Sequence, residues 1–177
     1  TVREVKLGLA VSYDRFVADV RDAAASADDP MAAVERVMRE TVADPAAVAS
    51  AVPEREDDEL HLHEDASVSI WVCRFRQDVV MPAHEHKMPV VIGGFAGIEK
   101  SILYRRVGDE LERIGERSVG PGEVITIGAD AIHAVTAASS QPSHALHVYL
   151  GELTKVERDL FDEATGGTVP FTDANFE

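Results

Sequence analysis

The chain has 177 residues, 45% of them hydrophobic and 6% aromatic, with 32 acidic against 17 basic side chains for a formal charge of -15. That length suits a single domain, residues 1–177, around one core. No apolar run reaches the roughly 18 residues a membrane span needs, and a charge of this sign repels a phosphate backbone, so neither a membrane nor a nucleic acid is an expected partner.

The opening TVREVKLGLAVSYDRF lacks the unbroken apolar stretch of a secretory signal, and the one cysteine, Cys73, cannot form an intrachain disulfide. Both features point to a soluble protein of the cytoplasm. From Ser12 to Ala51, within a helical part spanning residues 1–56, Phe16, Val17, Val20, Ala23 and Ala24, then Met31, Ala33, Val34, Val37 and Met38, recur at helical spacing. Asp29 with Pro30 supplies an N-cap and first helical position, and Asp44 with Pro45 starts a short third helix in the same way.

After the charged spacer EREDDE come short β-branched and apolar runs: VSIWVCRF, MPVVIGGF, KSILYRRV, VITIG, HAVTA and HALHVYL. Gly, Pro and Asp turns separate them, and no helix-length segment intervenes, which predicts an antiparallel sandwich or small barrel over about 60–153. The tail, 154–177, is expected to hold a helical turn or two before Gly166 and Gly167 and then to wrap the surface as polar chain.

Six of the seven histidines fall in pairs: His61 and His63, His84 and His86, His144 and His147. On a strand, residues i and i+2 share a face, so His84 and His86 project side by side while Glu85 points away. Two imidazoles so placed suit one divalent metal, and imidazole serves Fe, Zn, Cu and Ni. A third ligand comes from His133, at the head of an apolar strand, or from His147. The glycines Gly93, Gly94 and Gly97 suit a tight bend next to such a site. Cys73, between apolar neighbours, is a small core hydrophobe, and VIGGFAG lacks the ending of a phosphate loop.

The segments MPAHEH, VVIGGFAGIEKSILYRR, GPGEVITIGADAIHAV and HALHVYLGEL resemble the two cupin motifs and closing strand of the cysteine dioxygenase (thiol dioxygenase) family, over roughly residues 60–153. The helical first third is similar in pattern to helices that precede the barrel in bacterial members. The resemblance implies a cupin double-stranded β-helix, mainly β, preceded by α-helices, with one Fe(II) held by His84, His86 and His133. It places His147 and Tyr149 on the family's outer histidine and active-site tyrosine. The implied activity adds O2 to the sulfur of a small thiol to give a sulfinate, with Tyr149 donating a hydrogen bond toward oxygen and His147 orienting it.

Several positions depart from the family pattern. Val90 and Val91 stand where general cupins carry a glutamate, which favours a three-histidine site, and Val91 at or beside the position of the mammalian cysteine leaves no tyrosine cross-link to expect. Ala145 replaces the serine that ends the family's relay through the histidine, so a chain through His147 must end elsewhere. The arginine that grips the substrate carboxylate is missing from DELHLHEDASVSI. In its place His61 or His63 occupies the position, or Arg74 or Arg76 reaches in from the next strand, and Met88 either lines the substrate pocket or fills core. The expected substrate-binding set is therefore His63, Arg74 and Met88. Two other readings stay open: an iron cupin oxygenase acting on a chelating anion such as a β-diketone, and a metal-binding cupin without catalysis.

Overall fold

The computed structural model describes residues 12–26 and 28–175; most of the opening segment read for a signal lies outside them. Helix α1 (Tyr13–Ser26) leads to α2 (Pro30–Val42) and α3 (Pro45–Ala51). The two proline-headed helices start as expected, because Asp29 Oδ1 accepts from the Ala32 amide at 3.0 Å and Asp44 Oδ1 from the Ala47 amide at 3.1 Å. Each cap satisfies an amide that has no partner inside its own helix. No helix among the described residues is long and apolar enough to cross a membrane.

Eleven strands follow: β1 (Glu59–Glu64), β2 (Ser69–Phe75), β3 (Met81–Glu85), β4 (Val90–Ala96), β5 (Glu99–Val107), β6 (Glu110–Val119), β7 (Val124–Ile127), β8 (Ile132–Ala137), β9 (Ser143–Tyr149), β10 (Asp159–Phe161) and β11 (Thr168–Pro170). They form two sheets, ordered β1-β2-β9-β4-β7 and β11-β10-β3-β8-β5-β6, whose strand pairs are all antiparallel. From β2 to β9 the chain passes back and forth between the sheets, staying in one sheet only through the β5–β6 hairpin. This is the rolled-up, double-sheet arrangement of a double-stranded β-helix, and the mainly β fold with helices ahead of it is the one expected.

Alternation along β2 and β9 sorts the core. Ile70, Val72, Leu146 and Val148 face the helices and pack with Phe16, Val20, Val34, Met38, Val42 and Val48. Their neighbours Trp71, Cys73, Phe75, His147 and Tyr149 face the cavity between the sheets. Helical and β hydrophobic periods thus meet on one side of a sheet and leave its other side for chemistry.

Two expectations change. Gly93 and Gly94 lie within β4 and form no bend; a Cβ on Gly93 would meet Met38 Sδ at 2.5 Å and Val42 Cγ1 at 2.9 Å, so this glycine admits helix α2 against the sheet. Of these three glycines Gly97, with φ of 60°, makes the turn. The tail has one helical turn before the glycines, the 3-10 turn Leu153–Lys155, but it is not a polar wrap: it adds the hairpin β10–β11 to the second sheet, with Leu160 and Phe161 buried.

Candidate metal centre

Strands β3 and β8 pair with His84 directly opposite His133, so antiparallel register closes a long gap in the sequence. The chain leaves β3 after Glu85 and reverses at Lys87, which adopts φ of 58°, a left-handed conformation uncommon for a side chain of this size. The Lys87 ammonium donates to the Glu157 carbonyl at 2.8 Å, which anchors the reversal that follows His86. His86 Nε2 then lies 3.0 Å from His84 Nε2 and 3.5 Å from His133 Nε2.

The three rings are 2%, 5% and 1% exposed. Burial holds the imidazolium form of His84 down to a pKa of about 4, and it pushes His86 and His133 well below the usual histidine range, helped by the mutual repulsion that protonating neighbouring histidines would bring. All three are therefore neutral at pH 7, the state in which imidazole binds metals. His84 Nδ1–H donates to the Pro82 carbonyl at 2.8 Å, and His133 Nδ1 lies 3.1 Å from Ser101 Oγ on β5. With those bonds turned outward, the ring nitrogens left over converge.

His84, His86 and His133 form a group able to hold a metal ion, their ligand atoms within 4.8 Å of one another. Among the described residues no carboxylate joins the group. Neutral nitrogen lone pairs brought to 3.0 Å in a desolvated place repel one another unless a cation lies between them. The donor set fits a divalent transition metal.

A cavity of about 240 Å³ opens over the rings, lined by Trp71, Phe75, Met81, Tyr149, Arg158 and Phe171 among others. The Tyr149 ring packs edge-on against His86, centroids 4.9 Å apart. His147 does not join the metal group: its Nδ1 faces the Tyr149 hydroxyl at 3.2 Å and its Nε2 faces Glu99 Oε2 at 3.0 Å. The hydrogen-bond chain that Ala145 cannot end is thus ended by Glu99, which crosses from β5 to meet β9.

The substrate-binding set is dispersed. His63 on β1 bonds Asp65 at 2.8 Å and does not line the cavity. Arg74 is paired with Asp58 at 2.6 Å and donates to the Glu56 carbonyl, on the wall of a neighbouring cavity. Met88 fills core beside Val90, Tyr149 and Leu153. His61 stacks on the Trp71 ring at 4.3 Å, and Arg76 sits 3.4 Å from Asp58. Cys73 is buried, as expected, although it lines the cavity.

The arginine that does line the cavity is Arg158, just ahead of β10. Its guanidinium lies 3.9 Å over the Phe171 ring and makes no ion pair among the described residues. Burial weakens its hold on its proton, while Tyr149 and Glu59 oppose that effect. One sequence signal pointed here: the apolar pairs in DLF and TVPF flank Gly166 and Gly167, the pattern of a hairpin.

No protein-family model matches the sequence, and no curated protein matches it. Solved structures of similar fold include a cupin superfamily protein from Desulfitobacterium hafniense, at 19% identity over 59% of this chain and 88% of that one, TM-score 0.44. A hydroquinone 1,2-dioxygenase from a Sphingomonas species is 13% identical over 72% of this chain and 80% of that one, TM-score 0.47. The DMSP lyase DddQ from Ruegeria pomeroyi is 17% identical over 73% of this chain and 67% of that one, TM-score 0.46. Each is a likeness in the course of the chain, at an identity too low for residue roles to be read across.

Proposed function

We propose that this chain is a mononuclear non-haem Fe(II) dioxygenase of small thiols, converting R–SH and O2 to the sulfinic acid R–SO2H with both oxygen atoms on sulfur. The observation that carries the reading is the convergence of three buried, neutral imidazole nitrogens on the floor of a cavity that also holds the Arg158 guanidinium, with neither a carboxylate in the group nor an ion pair to that arginine among the described residues. Three neutral donors leave the full charge of a divalent ion uncompensated, which favours an anionic ligand such as a thiolate.

His84, His86 and His133 would hold the metal. Iron there supplies the one-electron chemistry that lets O2 react with a closed-shell sulfur. The protein's own residues do the rest. Arg158 grips an anionic group at the far end of the substrate, as a guanidinium does for a carboxylate. Phe171 holds that guanidinium flat from behind. Trp71, Phe75 and Met81 wall the cavity with apolar surface and exclude water. Tyr149 presents its hydroxyl to the reacting end, positioned through His147.

Anaerobic loading with Fe(II), followed by oxygen-electrode traces with a panel of carboxylate-bearing thiols and β-diketones, tests the reading. Thiol-dependent uptake with a product heavier by two oxygen atoms supports it. Uptake with diketones alone would move the assignment to a chelating-anion oxygenase, and no uptake with bound iron would leave a metal-binding protein without this chemistry.

A further inference from the structure

Glu99 is 2% exposed, His147 is 2% exposed, and the bond between them spans the interior from one sheet to the other. It is the one hydrogen bond given to the Glu99 side chain among the described residues; its second oxygen, Oε1, is buried and has no partner. A carboxylate placed merely to tie two sheets together would be expected to have both oxygens satisfied, since buried polar groups almost always are. What this one does, it does through His147.

We propose that Glu99 is a positioning residue that fixes His147 in the tautomer protonated at Nε2, and so turns the Tyr149 oxygen into a hydrogen-bond acceptor toward the cavity. A carboxylate oxygen facing the ring at 3.0 Å accepts, so the ring proton sits on Nε2. Nδ1 is then a lone pair, and the group facing it at 3.2 Å is the Tyr149 hydroxyl, which donates its only proton there. The phenol oxygen keeps its lone pairs for the cavity, against the ring of His86. This reverses the direction expected from the family resemblance, in which the tyrosine donates toward oxygen. It also narrows the ligand: the molecule bound beside the metal ligands carries, besides its thiolate, an N–H directed at Tyr149. The inference rests on the cavity being the substrate site proposed above.

The test is nitrogen NMR on protein labelled with 15N-histidine, metal-free and loaded with Zn(II), His147 being assigned by its loss in H147N. The expected spectrum shows a protonated, pyrrole-type Nε2 and an unprotonated, pyridine-type Nδ1, with Nδ1 shifted in Y149F, where its donor is gone, and Nε2 unchanged. A ring protonated at Nδ1, alone or together with Nε2, would overturn the proposal. In the iron-loaded enzyme E99L, which leaves Nε2–H no acceptor, should lower kcat about 10- to 100-fold, as loss of an outer-sphere partner typically does, with KM and iron content within about twofold of wild type. An E99L enzyme with wild-type kcat would also overturn it. The NMR experiment needs no turnover, so if no thiol supports oxygen uptake the activity reading fails while the tautomer result stands.

Discussion

His133 faces His84 across a strand pair, and the ring nitrogens of the two are bridged in space by His86. Removing one of three neutral donors leaves two, too few to hold a divalent ion firmly in a site without a carboxylate. In H133A the iron retained after purification and dialysis should fall from near one per chain to less than a tenth. H144A should keep it, because His144 points to the opposite side, near Phe95. Metal analysis decides, and iron retained in H133A would move the third ligand elsewhere. Arg158 makes the second residue-scale prediction. A charge-assisted hydrogen bond contributes about 1.5–3 kcal/mol, so R158M should raise KM for an anionic substrate by roughly 10- to 150-fold with a smaller change in kcat. R74M should change neither by more than about twofold, since Arg74 is already engaged by Asp58. Equal effects from the two variants would remove Arg158 from the substrate site.

Among the elements, β10 has three residues yet borders the metal strand, with Leu160 opposite His84. Leu160 is 4% exposed, and its truncation should cost about 2–5 kcal/mol. In L160A the urea midpoint should drop, and the remaining folded protein should bind iron less tightly because β3 loses its packed neighbour. A midpoint within error of wild type would mean that the tail does not brace β3. The tail was the least legible part of the sequence: two apolar residues beside charged ones carry almost no period, and their burial follows from the open edge of β3. The same holds for β6, ELERIGERSV, whose side chains are largely exposed and so show no alternation. The helix starts were legible because an N-cap aspartate and the proline after it act within one turn.

At the scale of the whole molecule, three desolvated imidazoles at the centre link stability to pH. Unfolded histidines take up a proton near pH 6.5, whereas folded His84 does so at about 4 and burial holds the other two well below their ordinary range. Between those limits the unfolded chain binds more protons, so the stability of the metal-free protein is complete above about pH 6.5 and falls as pH drops toward 4. Urea midpoints at pH 7.5, 5.5 and 4.5 should decline in that order; a flat series would mean that the rings are solvated in solution. Metal bound above pH 7 adds stability by mass action, about 4 kcal/mol at a thousandfold excess over its dissociation constant. The thermal midpoint should accordingly rise on loading and fall back with chelator.

What the sequence determined by itself was whatever adjacent residues encode: capped helices, the mainly β barrel region, and a histidine pair spaced two residues apart where a strand ends. It also marked where a family pattern was broken, at Ala145 and at the missing arginine. Only the tertiary structure decided which side chains come near those places. Glu99 reaches His147 across the gap between sheets, and Arg158 arrives at the cavity just ahead of a strand added after the barrel is complete. Neither contact has a signature in local spacing, because each depends on strand register and on which sheet a segment joins, and those are fixed when distant segments compete to bury their apolar faces together.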